Sequence, residues 1–149
     1  MSLQAQVMEK LKEAMKAKDS VALESLRAIK SALLLAQTES GAKKELTKDE
    51  EIKLLQKLVK QRRDSAVLYN EQGRADLAEP ELQQLAVIEK FLPEQLSDEE
   101  LRKIISEIIK NTGASSMKDM GNVMGLATKE LAGKADGKAI STIVKELLS

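Results

Sequence analysis

Apolar residues recur along this chain every three or four positions, with polar ones between them. Leu3, Val7, Leu11 and Met15 make the first such stripe, the spacing of a helix that buries one face. It closes in "KAKDS", where Asp19 or Ser20 can cap a second helix running from about Val21 to Thr38, with Leu26, Ile29, Leu33 and Ala36 inward. "ESGAKKEL" stops that helix, with Gly41 as the breaker. Thr47 with Glu50 is a capping box opening a long third helix, whose stripe is Ile52, Leu55, Val59 and Ala66 and whose end falls past Tyr69 at Gly73.

"RADLAEPELQQLAVIEKFLPEQLS" begins a fourth helix with Leu82, Leu85, Ile88 and Leu92 on one face. Pro80 predicts that this helix either starts late or bends, because proline lacks an N–H and crowds the preceding turn. Pro93 closes it. Ser97 with Glu100 opens a fifth helix carrying Leu101, Ile104, Ile105 and Ile108 and ending at Gly113. Ser116 with Asp119 opens a sixth through about Leu131, and Asp136 caps a seventh with Ile140, Ile143, Val144 and Leu147. No segment alternates with period two, so the expected class is all-α. The expected organisation is an N-terminal four-helix region over residues 1–95 and a small three-helix C-terminal domain over 96–149, hinged at "LPEQLS".

Composition narrows the chemistry. The 149 residues balance 24 basic against 24 acidic side chains, so no overall positive field draws the chain to nucleic acid or to a membrane. Any such partner must meet a local patch. The absence of histidine and cysteine removes thiolate nucleophiles, disulfides, the usual metal ligands and the usual proton shuttle. No metal and no cofactor are expected. Tyr69 and Phe91 are the only aromatics, which leaves no platform for base stacking. No apolar run has the length a membrane helix requires, and the mixed amphipathic start predicts an untargeted, soluble, cytoplasmic chain without a membrane partner.

Two stretches depart from ordinary helix sequence. "MGNVMGLATKELAGKADGKAIS" holds four of the seven glycines and follows two of them with lysine. It is not a phosphate-binding P-loop: Thr128 stands where the first glycine is required, and Ala135 follows Gly133-Lys134. Gly121 and Gly125 lie one turn apart on the sixth helix, each costing about 1 kcal/mol relative to alanine. That cost predicts a close approach, either by a neighbouring helix or by an RNA backbone or partner chain. In "AGKADGK", Gly133, Asp136 and Gly137 suit a helix stop and restart, and the same turn sets Lys134 and Lys138 beside a helix N-terminus that can hold phosphate. The second stretch, "KLLQKLVKQRRDS", carries Lys53, Lys57, Lys60, Arg62 and Arg63 with no acid from Lys53 to Arg63. On a helix Lys53, Lys57 and Lys60 follow one edge with Arg63 near it; they form either a phosphate-tracking stripe or a solvated face neutralised by the acids of "KDEE". Arg63, Asp64 and Tyr69 could also meet Arg74 or Asp76 and hold the third and fourth helices in register. The carboxylate pairs Asp49/Glu50 and Glu99/Glu100 sit at helix starts, where capping explains them, and no local pattern supports a serine–lysine dyad.

"LRAIKSALLLAQ", "LVKQRRDSAVLYNEQGRADLAEPELQQLAVIEKFLPEQLSDEEL" and "GASSMKDMGNVMGLATKELAGKADGKAISTIVKELL" together resemble the successive blocks of the YqeY proteins across essentially the whole chain. The C-terminal part is similar to the tail of GatB, the tRNA-recognising subunit of the glutamine-dependent amidotransferase. The resemblance implies a helical bundle followed by a three-helix tail. It implies candidate RNA-facing positions at Gly121, Met124, Gly125, Gly133, Lys134, Ala135, Asp136 and Gly137, with no catalytic residues among them. It also implies a label of carbon–nitrogen ligase with glutamine as amido-nitrogen donor, whose catalytic domains are absent here, and a continuous fourth helix despite Pro80.

The expected function is therefore a tRNA-interacting accessory protein without catalysis of its own, touching tRNA through the Lys134–Lys138 turn and the Gly121/Gly125 face, with the basic third helix extending the footprint. Amidotransferase subunits or other translation proteins are the candidate protein partners. The alternatives are a helical adaptor docking through Met117, Met120 and Met124, or a ligase activity that requires partner subunits.

Overall fold

Most of the helices begin where a side chain can satisfy the first free amides. In the computed structural model, which describes residues 2–39 and 45–149, Ser2 caps α1 (Leu3–Ala17), and the Asp19 carboxylate accepts from the Ala22 amide at 3.1 Å as α2 (Ser20–Glu39) starts. The position expected to break α2, Gly41, lies outside the described residues. Thr47 and Glu50 form the reciprocal capping box of α3 (Lys48–Glu71), and Gly73 ends it in the left-handed conformation, φ +73°. A loop of three residues turns the chain into α4 (Ala75–Glu89). Ser97 caps α5 (Asp98–Thr112), which stops at left-handed Gly113. A short 3-10 turn (Met117–Asp119) leads into α6 (Met120–Glu130), and Asp136 caps α7 (Gly137–Leu148). The described residues form seven α-helices and no strand, so the chain is all-α.

The helices pack into two compact units, Met1–Leu92 and Pro93–Ser149. In the first, α3 lies along α4, α1 along α2, and α2 against α4. The core comprises Leu3, Val7, Leu11 and Ala14 of α1, Leu26, Ile29 and Leu33 of α2, Leu55 and Val59 of α3, and Leu85 and Ile88 of α4. Fully burying each Leu, Ile or Val contributes about 1.5–3 kcal/mol. In the second unit α5, α6 and α7 pack pairwise around Leu101, Ile105 and Ile108, Val123, Ala127 and Leu131, and Ile140, Ile143, Val144 and Leu148. An ion pair between Arg102 and Glu146 ties α5 to α7 at the surface.

Several inward positions differ from the sequence expectation by one step of the helix. Ala14 is buried while Met15 is 56% exposed, and Leu148 is buried while Leu147 is 37% exposed. Leu82 is also exposed. These residues sit at the margins of their stripes, where the neighbouring helix decides which edge is covered. Helix α4 does not start late: it runs from Ala75 through Pro80, which leaves the Asp76 carbonyl without its intrahelical donor.

Candidate nucleic-acid interface

The glycine–lysine turn of the second unit is built by backbone hydrogen bonds. Beyond α6, Gly133 takes φ +77°, a conformation that side chains disfavour, and the Lys134 amide donates to the Leu131 carbonyl at 2.9 Å. Gln95 donates from Nε2 to the Pro93 carbonyl at 2.8 Å and to the Gly133 carbonyl at 2.7 Å. The Leu96 amide reaches the Lys134 carbonyl at 3.0 Å. Gln95 and Leu96 are thus fastened to the turn within the second unit. Asp136 then accepts from the Lys138 amide at 3.1 Å and starts α7 with Gly137 in its first turn. Lys134 and Lys138 stand exposed on this anchored turn, and among the described residues neither is in an ion pair.

Gly121 and Gly125 do not lie under a crossing helix. Both are exposed, and a Cβ added at either would meet nothing within 4 Å. Helix geometry gives the reason: Val123 and Ala127 point into the core, and at about 100° per residue Gly125 lies opposite them with Gly121 and Lys129 about 40° to either side. The face is bare backbone ending in an exposed lysine that has no ion-pair partner among the described residues. Lys129 is not among the sequence-derived candidates, although its place four residues after Gly125 is the signal that finds it. Beside it, Ile108, Leu126 and Lys129 line a shallow depression of about 490 Å³; Thr112 at its edge gives its hydroxyl proton to the Ile109 carbonyl.

The methionine stripe is discontinuous. Met120 and Met124 pack against the second core and only Met117 is well exposed, so the three do not form one docking face.

The basic residues of α3 belong to the first unit and divide into two groups. Lys53, Lys57 and Lys60 share the exposed face opposite Leu55, Val59 and Ala66. Arg62 is half-buried: its Nε donates to Gln84 Oε1 and its Nη1 to the Leu58 carbonyl, each at 3.2 Å. The bond to Gln84 ties α3 to α4. Arg63 is exposed to one side of the lysines. Arg74 instead grips its neighbour Asp76 with two 3.0 Å bonds, which hold the Asp76 carboxyl below the usual aspartate range and the guanidinium above its own. The Arg74 amide donates to the Tyr69 carbonyl at 2.8 Å.

Among the described residues, no three or more His, Cys, Asp or Glu gather as a metal would require, and no helix is long and apolar enough to cross a membrane.

The chain is 36% identical over 108 residues, 70% of its length, to Altered inheritance of mitochondria protein 41 of Clavispora lusitaniae, and spans 61% of that protein. It is 28% identical over 142 residues to the protein of the same name in Pyrenophora tritici-repentis, covering 93% of this chain and 76% of the relative. A shorter match of 54 residues, at 43% identity and 34% of this chain, is to a Glutamyl-tRNA(Gln) amidotransferase subunit of Thermococcus gammatolerans, of which the chain spans only 9%; it reflects similarity to the amidotransferase tail domain. The Yqey-like protein family model matches residues 4–148, and the chain belongs to that family.

Proposed function

We propose that this protein is a tRNA-contacting accessory factor of the amidotransferase context, and that its second unit makes the contact. The observation that supports this reading is the bare face of α6. Gly121 and Gly125 each cost the helix about 1 kcal/mol relative to alanine, and no internal packing offsets that cost. A phosphate backbone brought against this face can approach the helix closely while Lys129 reaches it. Lys134 and Lys138, on the turn fastened by Gln95, offer two more cations beside the N-terminus of α7. The name of one relative, a Glutamyl-tRNA(Gln) amidotransferase subunit, supplies the nucleic acid. Amide formation then belongs to partner subunits, with no cofactor held here. The site of action is the cytoplasm, or the mitochondrion by analogy with the names of two relatives.

Fluorescence anisotropy with uncharged and aminoacylated tRNA at two salt concentrations tests the reading, with Lys134→Ala/Lys138→Ala alongside. The expected result is salt-sensitive binding whose log–log slope falls by about 1.8 in the double variant, two phosphate contacts at about 0.9 each. Absence of binding at low salt would overturn it.

A further inference from the structure

The lysines on α3 have acidic neighbours at the two ends of their face, Asp49 four residues before Lys53 and Asp64 four residues after Lys60. Two of the acids just upstream are engaged elsewhere. Glu50 accepts from the Thr47 amide at 3.3 Å and its hydroxyl at 3.0 Å, within the capping box. Glu51 reaches across the unit and accepts from the Leu3 amide at 3.1 Å. Lys53, Lys57 and Lys60 are exposed and, among the described residues, in no ion pair, so their face is solvated without the acid pairing that the sequence allowed. On the helix they fall within an arc of about 60° and a rise of about 10 Å, with Asp49 and Asp64 closing the ridge at its ends.

We propose that this ridge is a second contact for the phosphate backbone of structured RNA, independent of base sequence. The inference rests on the RNA-contacting function proposed above and adds a surface in the other unit. Its side chains choose the partner. A protein interface has an apolar, lysine-poor centre, whereas this ridge interleaves lysine with polar Gln61, and the exposed apolar residues of α3, Val67 and Leu68, lie beyond Asp64 at its end. A phosphate backbone needs only the cations, because binding gains from counterion release. Double-stranded nucleic acid carries one charge per about 1.7 Å of axis, so the ridge spans about six charges. With no aromatic residue on α3 before Tyr69, bases have nothing to stack on, which favours duplex regions over single strands.

The test compares the full chain, Lys53→Gln/Lys57→Gln/Lys60→Gln and Lys134→Gln/Lys138→Gln, binding uncharged tRNA across a salt series, with circular dichroism to check helicity. The triple variant is expected to keep its helicity, weaken binding on the order of tenfold or more, and lower the salt slope by up to about 2.7. If wild type binds, the double variant weakens and the triple variant matches wild type, the ridge is overturned and the function stands. If the triple variant weakens and the double does not, the ridge stands and the turn is overturned as the contact. No binding by wild type removes both. Triple-sensitive binding of poly-glutamate with an unchanged tRNA slope would assign the face to an acidic polypeptide, against the proposal.

Discussion

Gln95 holds the Gly133 carbonyl at 2.7 Å across 38 positions of sequence, and this bond fixes the turn that presents Lys134. The same amide group donates to the Pro93 carbonyl, so one partly buried side chain satisfies two backbone acceptors. Gln95→Ala leaves both without that donor and is expected to destabilise the second unit by about 1–3 kcal/mol. Gln95→Glu is expected to cost more, since a carboxylate would face two carbonyl oxygens. Urea denaturation of the two variants checks the order.

Alanine has opposite effects at two kinds of glycine. At Gly121 and Gly125 the backbone is helical and the space open, so each alanine is expected to stabilise by about 1 kcal/mol. At Gly133, buried with φ +77°, alanine is expected to destabilise by about 1–2 kcal/mol. Melting temperatures moving in the same direction at all three positions would contradict this account of the turn.

Lys18 is the non-glycine residue found at positive φ, 55°, where it ends α1. Lys18→Gly relieves the clash between Cβ and the following carbonyl, worth about 1 kcal/mol in the folded state, partly offset by greater freedom of the unfolded chain. A small rise in stability is expected by chemical denaturation, in contrast to the loss at Gly133.

Arg62 and the neighbouring lysines separate structure from binding. Arg62→Ala removes the bond to Gln84 and is expected to destabilise the first unit by about 1–2 kcal/mol, with little change in the tRNA salt slope. The reverse pattern, an unchanged fold and a reduced slope, would make Arg62 an RNA contact.

The Arg74–Asp76 pair predicts a pH signature. The bonds from Arg74 lower the Asp76 pKa in the folded state, so the pair contributes stability above the ordinary aspartate range and loses it as pH falls through the lowered value. Both side chains are exposed, so the contribution is small. A carboxyl NMR titration should find Asp76 below the ordinary range in wild type and back within it in Arg74→Gln, and the two proteins should converge in stability at acid pH.

Local signals carried much of the architecture. The pairs Thr47/Glu50 and Ser97/Glu100 and the residue Asp136 marked helix starts because a cap needs only its own first turn. The exchange of Met15 for Ala14 was not legible, since neighbouring residues near a stripe edge differ by packing against a distant helix. Nor were Glu51 to Leu3, 48 positions apart, or Gln95 to Gly133, because no local pattern encodes a bond between remote segments. The glycines of α6 were legible as a cost, but their direction was not. Only the buried Val123 and Ala127 fix that face toward solvent.

The bare glycine face is best tested by measuring tRNA affinity and thermal stability together for wild type and Gly121→Ala/Gly125→Ala. Contact through this face predicts a higher melting temperature with weaker tRNA binding. A higher melting temperature with unchanged affinity would mean that the glycines meet no RNA, and would contradict the account.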